Sequence, residues 1–340
     1  GYGALMVDAA RQALDAALPP GVSEAPLAME PLFNALTMDV IMRTLFSSRA
    51  PEVARAAAAA TQVLSREALQ EMFWPFSLPD WLPLPHKVAK RRAMGVLTGL
   101  VDGQIAARRA LPAEAAPTDD LLAMLLAVRD EDGSALSAAE VHDQCMVMFQ
   151  AGHETTATAL LWWAWLMAGH PEAAARAREE VDAVLQGRAP EAADASALPW
   201  LGATLKEAMR LYPPVPAIMS RRVRRPFVLR GQEVPAGTML RITPWVIQRD
   251  ARWFAQPGAF MPERFLGDTA GRPRSAWMPF GVGPRVCIGQ HFALLEMTLV
   301  AAMLLQRFTL HRLPGEAEPV PRMYVTLRPA GVLRLGVRRR

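Results

Sequence analysis

The stretch that most limits what this chain can fold into runs from Ser137 to Gly169. Ser137 followed three residues later by Glu140 forms a capping box, and the apolar pattern it opens continues until His170 and Pro171 stop it. Some 32 residues at ~1.5 Å each make a helix of roughly 48 Å, long enough to cross an entire domain. A helix of that length is expected at the centre of the molecule. Its longest apolar part, 145 to 169, is broken in the middle by "GHETT". A bilayer core would penalise those groups by several kcal/mol, which excludes a membrane span here. Flanked by "CMVMF" and "ALLWWAW", the polar groups have little room for a solvent face, and buried polar groups imply partners or work.

The remaining pattern is helical from Tyr2 to about Leu126, punctuated by Pro and Gly at 18 to 21, 77 to 85 and 111 to 120. Helices resume over 172 to 186, 198 to 212 and about 289 to 308, whereas 227 to 243 and 323 to 337 alternate around glycine turns as β-hairpins do. The expectation is a mainly α fold with a small β-rich part, forming a single domain over 1–340. Half of the composition is apolar (51%), enough for a large core, and a net charge of +4 is too mild to make nucleic acid the main partner. Lys87, Lys90 and Lys206 are the only lysines in an arginine-rich chain, which suggests a GC-rich bacterial gene. Two cysteines, Cys145 and Cys287, cannot build a disulfide framework, so a reducing, cytoplasmic setting is expected. The opening "GYGALMVDAA" has no signal-peptide character.

Cys287 lies in "FGVGPRVCIG" (280 to 289). A thiolate is a strong metal ligand when nearby positive charge and N–H groups stabilise it. Gly281 and Gly283 permit tight turns, Pro284 stiffens the approach, Arg285 adds a cation, and the following helix offers free N–H groups. An arbitrary free cysteine is more often just a small hydrophobe, but these ten residues reverse that expectation.

They match F-x-x-G-x-R-x-C-x-G at every specified position, through Phe280, Gly283, Arg285, Cys287 and Gly289, and so the chain resembles the haem-thiolate monooxygenases called cytochromes P-450. The resemblance implies haem b (iron protoporphyrin IX) with Cys287 as the axial iron ligand, Arg285 on a propionate and Phe280 beside the sulfur, with Gly281 and Gly289 also at the cofactor. A cysteine ligand donates electron density that favours O–O cleavage. "AGHETT" (151 to 156) matches the family pattern [AG]-G-x-[DE]-T-[TS]. Ala151 and Gly152 are thereby implied at the cofactor, with Gly152 letting the helix open over iron, and Glu154 and Thr155 are implied to stabilise dioxygen and guide protons. A zinc hydrolase reading of His153 and Glu154 fails because H-E-x-x-H would need a second His at Ala157.

"KEAMR" supplies Glu207 and Arg210 and "MPERF" supplies Arg264. Such a helix pair alone is usually solvated and worth ~0.2–0.5 kcal/mol; the resemblance implies a buried structural network of all three. It also implies a propionate partner at Arg221, with Arg222 one residue away, and a substrate wall of Val215, Pro216, Ala217, Ile218 and, near the C-terminus, Leu327. The arginine runs at 221 to 225 and 338 to 340 read most simply as solvated charge. Complete family members begin earlier, so the resemblance implies a cytochrome P-450 fold lacking its N-terminal quarter, where an anchor could lie. The implied activity inserts one atom of O2 into an apolar, fatty-acid-like or terpene-like substrate. Electrons would come from NAD(P)H through a ferredoxin or flavoprotein reductase. A haem-thiolate peroxygenase or isomerase and a haem sensor are the competing readings.

Overall fold

The computed structural model describes residues 1–49, 51–73, 76, 78–115, 117–217, 219–267 and 271–340. The long helix forms as expected: α6 spans Ala138–Gly169 without a break. Ser137 Oγ accepts the Glu140 N–H at 3.2 Å while the Glu140 carboxylate accepts the Ser137 N–H at 2.8 Å, so the capping box satisfies two N-terminal donors. From Thr156 to Met167 every residue of α6 is buried, the pattern of a helix surrounded by protein. It packs most extensively on α2 (Met29–Phe46), and also on α4 (Pro85–Ala110), α8 (Pro199–Leu211) and α10 (Gln290–Arg307).

Two apolar clusters divide α6 between them. One gathers α1 (Tyr2–Ala17), α7 (Pro171–Leu185), α8 and α10 around Ala157 to Met167. The other gathers the second half of α2, α3 (Pro51–Phe73), α4 and α5 (Leu121–Ala127) around Val141 to Phe149. The polar "GHETT" lies between the two clusters, where neither apolar core demands a hydrophobe. No helix of the described residues is long and apolar enough to cross a membrane.

The strands differ from the sequence pattern in their pairing. β1 (Glu24–Ala28) lies where helix was expected and joins the C-terminal β9 (Arg334–Arg339), which also pairs β6 (Phe308–His311) in an antiparallel β1-β9-β6 sheet. Its edge position tolerates Pro26, which has no N–H to donate. The expected hairpin over 227 to 243 divides. β3 (Phe227–Leu229) and β4 (Gln232–Val234) close through Arg230 and Gly231, both at positive φ, whereas β5 (Met239–Ile242) pairs with β2 (Met219–Arg222). The expected C-terminal hairpin over 323 to 337 divides likewise: β8 (Leu327–Pro329) pairs β7 (Pro321–Met323), whereas 334 to 337 belong to β9. Alternation identifies strands, but partner choice depends on edges brought close by the helices.

Candidate active site

The cysteine loop is shaped by its own backbone. Gly281 and Gly283 adopt φ of +76° and +79°, conformations that disfavour a Cβ, and a 3-10 turn over Gly283–Arg285 follows. The Cys287 N–H then donates to the Phe280 carbonyl at 2.9 Å, closing the loop, and Gly289 caps α10. Cys287 is left exposed, and the first turn of α10 begins three residues later.

The exposed cysteine faces a cavity of about 1330 Å³. Its lining includes Phe280, Cys287 and Gly289 from the loop and Ala151, Gly152 and Thr155 from α6, with most other wall residues apolar. Ligand pockets commonly measure ~300–1,000 Å³, so this one has room for a flat macrocycle together with a second molecule. The donor set also fits haem: one accessible sulfur, small residues on the facing helix, and apolar walls. Gly152 has a further local reason to be glycine, because a Cβ there would lie 2.7 Å from Ile41 Cδ1 on α2. α6 continues helical through it.

The other expected site residues divide between the cavity and its surroundings. Val215 lines the wall; Pro216, Ala217 and Leu327 are not part of the lining, and Ile218 lies outside the described residues. Leu327 is buried and instead pins the core: its carbonyl accepts Trp162 Nε1–H at 2.6 Å and its N–H donates to Pro214 O at 3.0 Å. Arg285, Arg221 and Gly281 are outside the lining too, and both arginines are exposed. Arg221 and Arg222 occupy successive positions of β2 and so point to opposite faces. Met209, Met297 and His291 line the cavity without having been singled out by any motif. The heptad-like apolar pattern of α8 and α10 could have suggested the two methionines; His291 carries no such signal.

Thr155 Oγ1–H donates to Ala151 O at 2.8 Å within the helix. Glu154, one residue earlier, turns away from the cavity lining and is buried. Its Oε1 accepts Thr326 Oγ–H at 2.6 Å and Ser65 Oγ–H at 3.1 Å, and meets Arg328 Nη2 at 3.0 Å. His153 is buried against Phe149, whose carbonyl lies 3.2 Å from Nδ1, and burial pushes its pKa down, favouring the neutral ring.

Behind the loop, Glu207, Arg210 and Arg264 do meet. Glu207 and Arg210 are completely buried and paired bidentately at 2.7 and 2.8 Å, and Arg264 Nε approaches Glu207 Oε1 at 3.3 Å. Glu207 also accepts the Met261 N–H, and Arg210 donates to the carbonyls of Gln248, Pro257 and Ala259. Gln248, which no motif singled out, links this network to the cysteine loop: its amide donates to the Met209 and Arg210 carbonyls and its oxygen accepts the Met278 N–H at 2.8 Å, two residues before Phe280. A helical core that presents one accessible cysteine to a large apolar cavity is an arrangement that suits a cofactor ligated through sulfur.

The comparisons agree with that class. The family model described as cytochrome P-450 matches residues 4–332, and the chain belongs to that family, whose cofactor is haem b with a cysteine thiolate as axial ligand. Cyclooctatin synthase of Streptomyces melanosporofaciens is 35% identical over 308 residues, covering 88% of this chain and 65% of that protein. Pentalenene oxygenase of Streptomyces avermitilis is 35% identical over 280 residues, covering 82% of this chain and 61% of that one. The chain thus spans somewhat less than two thirds of the curated relatives it matches. Retinoic acid-bound cyanobacterial CYP120A1 superposes with a TM-score of 0.87 at 28% identity, over 99% of this chain and 74% of that one. The mainly helical fold with small sheets is the fold of that neighbour.

Proposed function

We propose that the whole protein is a haem-thiolate monooxygenase that inserts one oxygen atom from O2 into an apolar substrate and takes its electrons from NAD(P)H through a ferredoxin or flavoprotein. The observation that carries this reading is the shared cavity: the Cys287 sulfur and the Ala151, Gly152 and Thr155 segment of α6 line one apolar space. Cys287 would hold the iron, with Phe280, Gly281 and Gly289 shaping the loop around it and the exposed Arg285 and Arg221 available to the propionates. Haem held through a thiolate supplies the cleavage of the O–O bond. Thr155 presents a hydroxyl to the cavity and can pass a proton inward, and Glu154 is the adjoining acid. The apolar walls exclude water and receive an apolar skeleton. Relatives named for pentalenene and for cyclooctat-9-en-7-ol, and a neighbour solved with retinoic acid, favour terpene-like over fatty-acid-like substrates.

The CO-bound ferrous spectrum of the full-length protein tests the ligand directly. A strongly red-shifted Soret band that disappears in Cys287→Ala is expected. An unshifted band in the unmodified protein would refute thiolate ligation, and product formed with H2O2 but not with NAD(P)H and any reductase would favour a peroxygenase.

A further inference from the structure

Two carbonyls at the end of α8 are left without their ordinary donors. Helical spacing would give the Met209 and Arg210 carbonyls the N–H groups of residues 213 and 214, but both of those are proline and have none. Gln248, which follows the short helix α9 (Pro244–Ile247), supplies the substitute. Its side chain is completely buried, and Nε2 donates to Met209 O at 2.9 Å and to Arg210 O at 3.1 Å, one N–H for each stranded carbonyl. The other end of the amide faces the cysteine loop, where Oε1 accepts the Met278 N–H at 2.8 Å. Arg210 holds the clasp from behind by donating to Gln248 O at 2.9 Å. Met278 in turn begins a backbone chain that leads to the sulfur-bearing residue: its carbonyl accepts the Gly281 N–H at 3.0 Å, and the Phe280 carbonyl accepts the Cys287 N–H at 2.9 Å. Pro279 between them has no N–H to give.

We propose that Gln248 is a positioning residue for the thiolate: the carboxamide that replaces the donors missing at Pro213 and Pro214 also fixes the Met278–Phe280 segment from which Cys287 is held. The proposal deepens the haem-thiolate reading above and rests on it. Met209, Pro214, Pro279, Phe280 and Cys287 all line the cavity, so one side chain fastens the wall at the end of α8 to the loop that presents the sulfur. Trp277 adds a parallel tie to the same helix, its Nε1–H donating to Lys206 O at 3.1 Å. The position asks for two donors and one acceptor on a single buried group, which a carboxamide of this length provides. Gln248→Met supplies none of them. Gln248→Glu sets an oxygen against two carbonyls, and a neutral imidazole in Gln248→His offers one donor and one acceptor. The residue touches neither the cavity nor Cys287, so it acts through the backbone chain alone.

The test uses the full-length holoenzyme. Thr204→Val is the control, because it removes another buried hydrogen bond of α8, the one from Trp163 Nε1–H at 2.9 Å, without touching the chain to Cys287. In Gln248→Met, backbone hydrogen exchange over 278 to 287 should run about tenfold faster than in the unmodified protein, and in Thr204→Val it should not change. The red-shifted CO-bound ferrous band should also convert to the unshifted form at a lower urea concentration in Gln248→Met than in Thr204→Val, with Gln248→His between the unmodified protein and Gln248→Met. Unchanged exchange over 278 to 287, or equal band conversion in Gln248→Met and Thr204→Val, overturns the positioning role. Should Gln248→Met fail to fold, exchange in the unmodified protein decides: the Met278 amide should be as slow as the core amides of α8, and exchange as fast as an exposed loop overturns the clasp. An unshifted band in the unmodified protein overturns the haem-thiolate reading instead, whatever the exchange rates.

Discussion

Glu207 and Glu154 are both buried carboxylates on core helices paired with arginine, yet they are built for different purposes. Glu207 uses both oxygens: Arg210 grips them bidentately, and Met261 and Arg264 add further donors. Arg210 is in turn fixed by three carbonyls. Nothing in that network can move without leaving a buried charge unpaired. Glu154 concentrates its contacts on one oxygen, and its arginine borders a polar pocket with a second carboxylate at hand. Glu207 is thus saturated on both oxygens, whereas Glu154 is engaged on one. Glu296 on α10 is a third case, fully buried with neither oxygen partnered among the described residues, and burial pushes its pKa well up, favouring the neutral form.

Removing one partner from the saturated network should have the largest effect. Arg210→Met strands Glu207 in the core and is expected to cost about 3–5 kcal/mol in urea unfolding; a loss below about 1 kcal/mol would show that the network is not what holds the cysteine loop. Glu154→Gln should cost less, about 2 kcal/mol, because it weakens charge-assisted hydrogen bonds without emptying the site. Its stronger signature should be functional, with bound haem retained and electrons diverted from product to peroxide. Equal stability losses at Glu154 and Glu207 would erase the distinction drawn between them.

Glu296→Leu should change stability in the opposite direction. Its folded pKa is raised, so it is protonated in both states below the unfolded value of 4.5, and the fold is penalised as pH rises above it. The native protein should therefore lose up to about 1.4 kcal/mol per pH unit in that window relative to Glu296→Leu, and the variant should be about 1–2 kcal/mol more stable near neutrality. Unfolding curves at several pH values decide it, and parallel pH dependences would show that the acid has found a partner. The smallest change in stability is expected for Thr155→Ala, about 1 kcal/mol or less from the lost bond to Ala151. Peroxide release per electron should nevertheless rise, and an unchanged product yield would remove Thr155 from proton delivery.

Much of the chemistry was legible in local sequence because it is made by local backbone. The capping box, the length of α6, and the glycine turns around Cys287 depend on neighbours within a few residues, so they can be read directly. The family pattern then distinguished the two cysteines, and their surroundings differ accordingly: Cys145 is sealed in an apolar cluster, its thiol pushed up to about 11 chiefly by burial, while Cys287 is exposed to the cavity. Contacts between distant segments were not legible. Nothing in "VIQRD" marks Gln248 as the link between Arg210 and Met278, and nothing near Leu327 shows that its backbone would tie Trp162 to Pro214 rather than wall the cavity. β1 went unread for the same reason, since its partner β9 lies at the other end of the chain. Sequence alone determined the helical class, the thiolate loop and the polar break in the central helix, because periodicity, capping and turn chemistry act over a few residues. Tertiary structure decided which carboxylate is gripped on both oxygens and which on one, because that depends on which distant arginine, hydroxyl or carbonyl the packed helices bring within hydrogen-bonding reach.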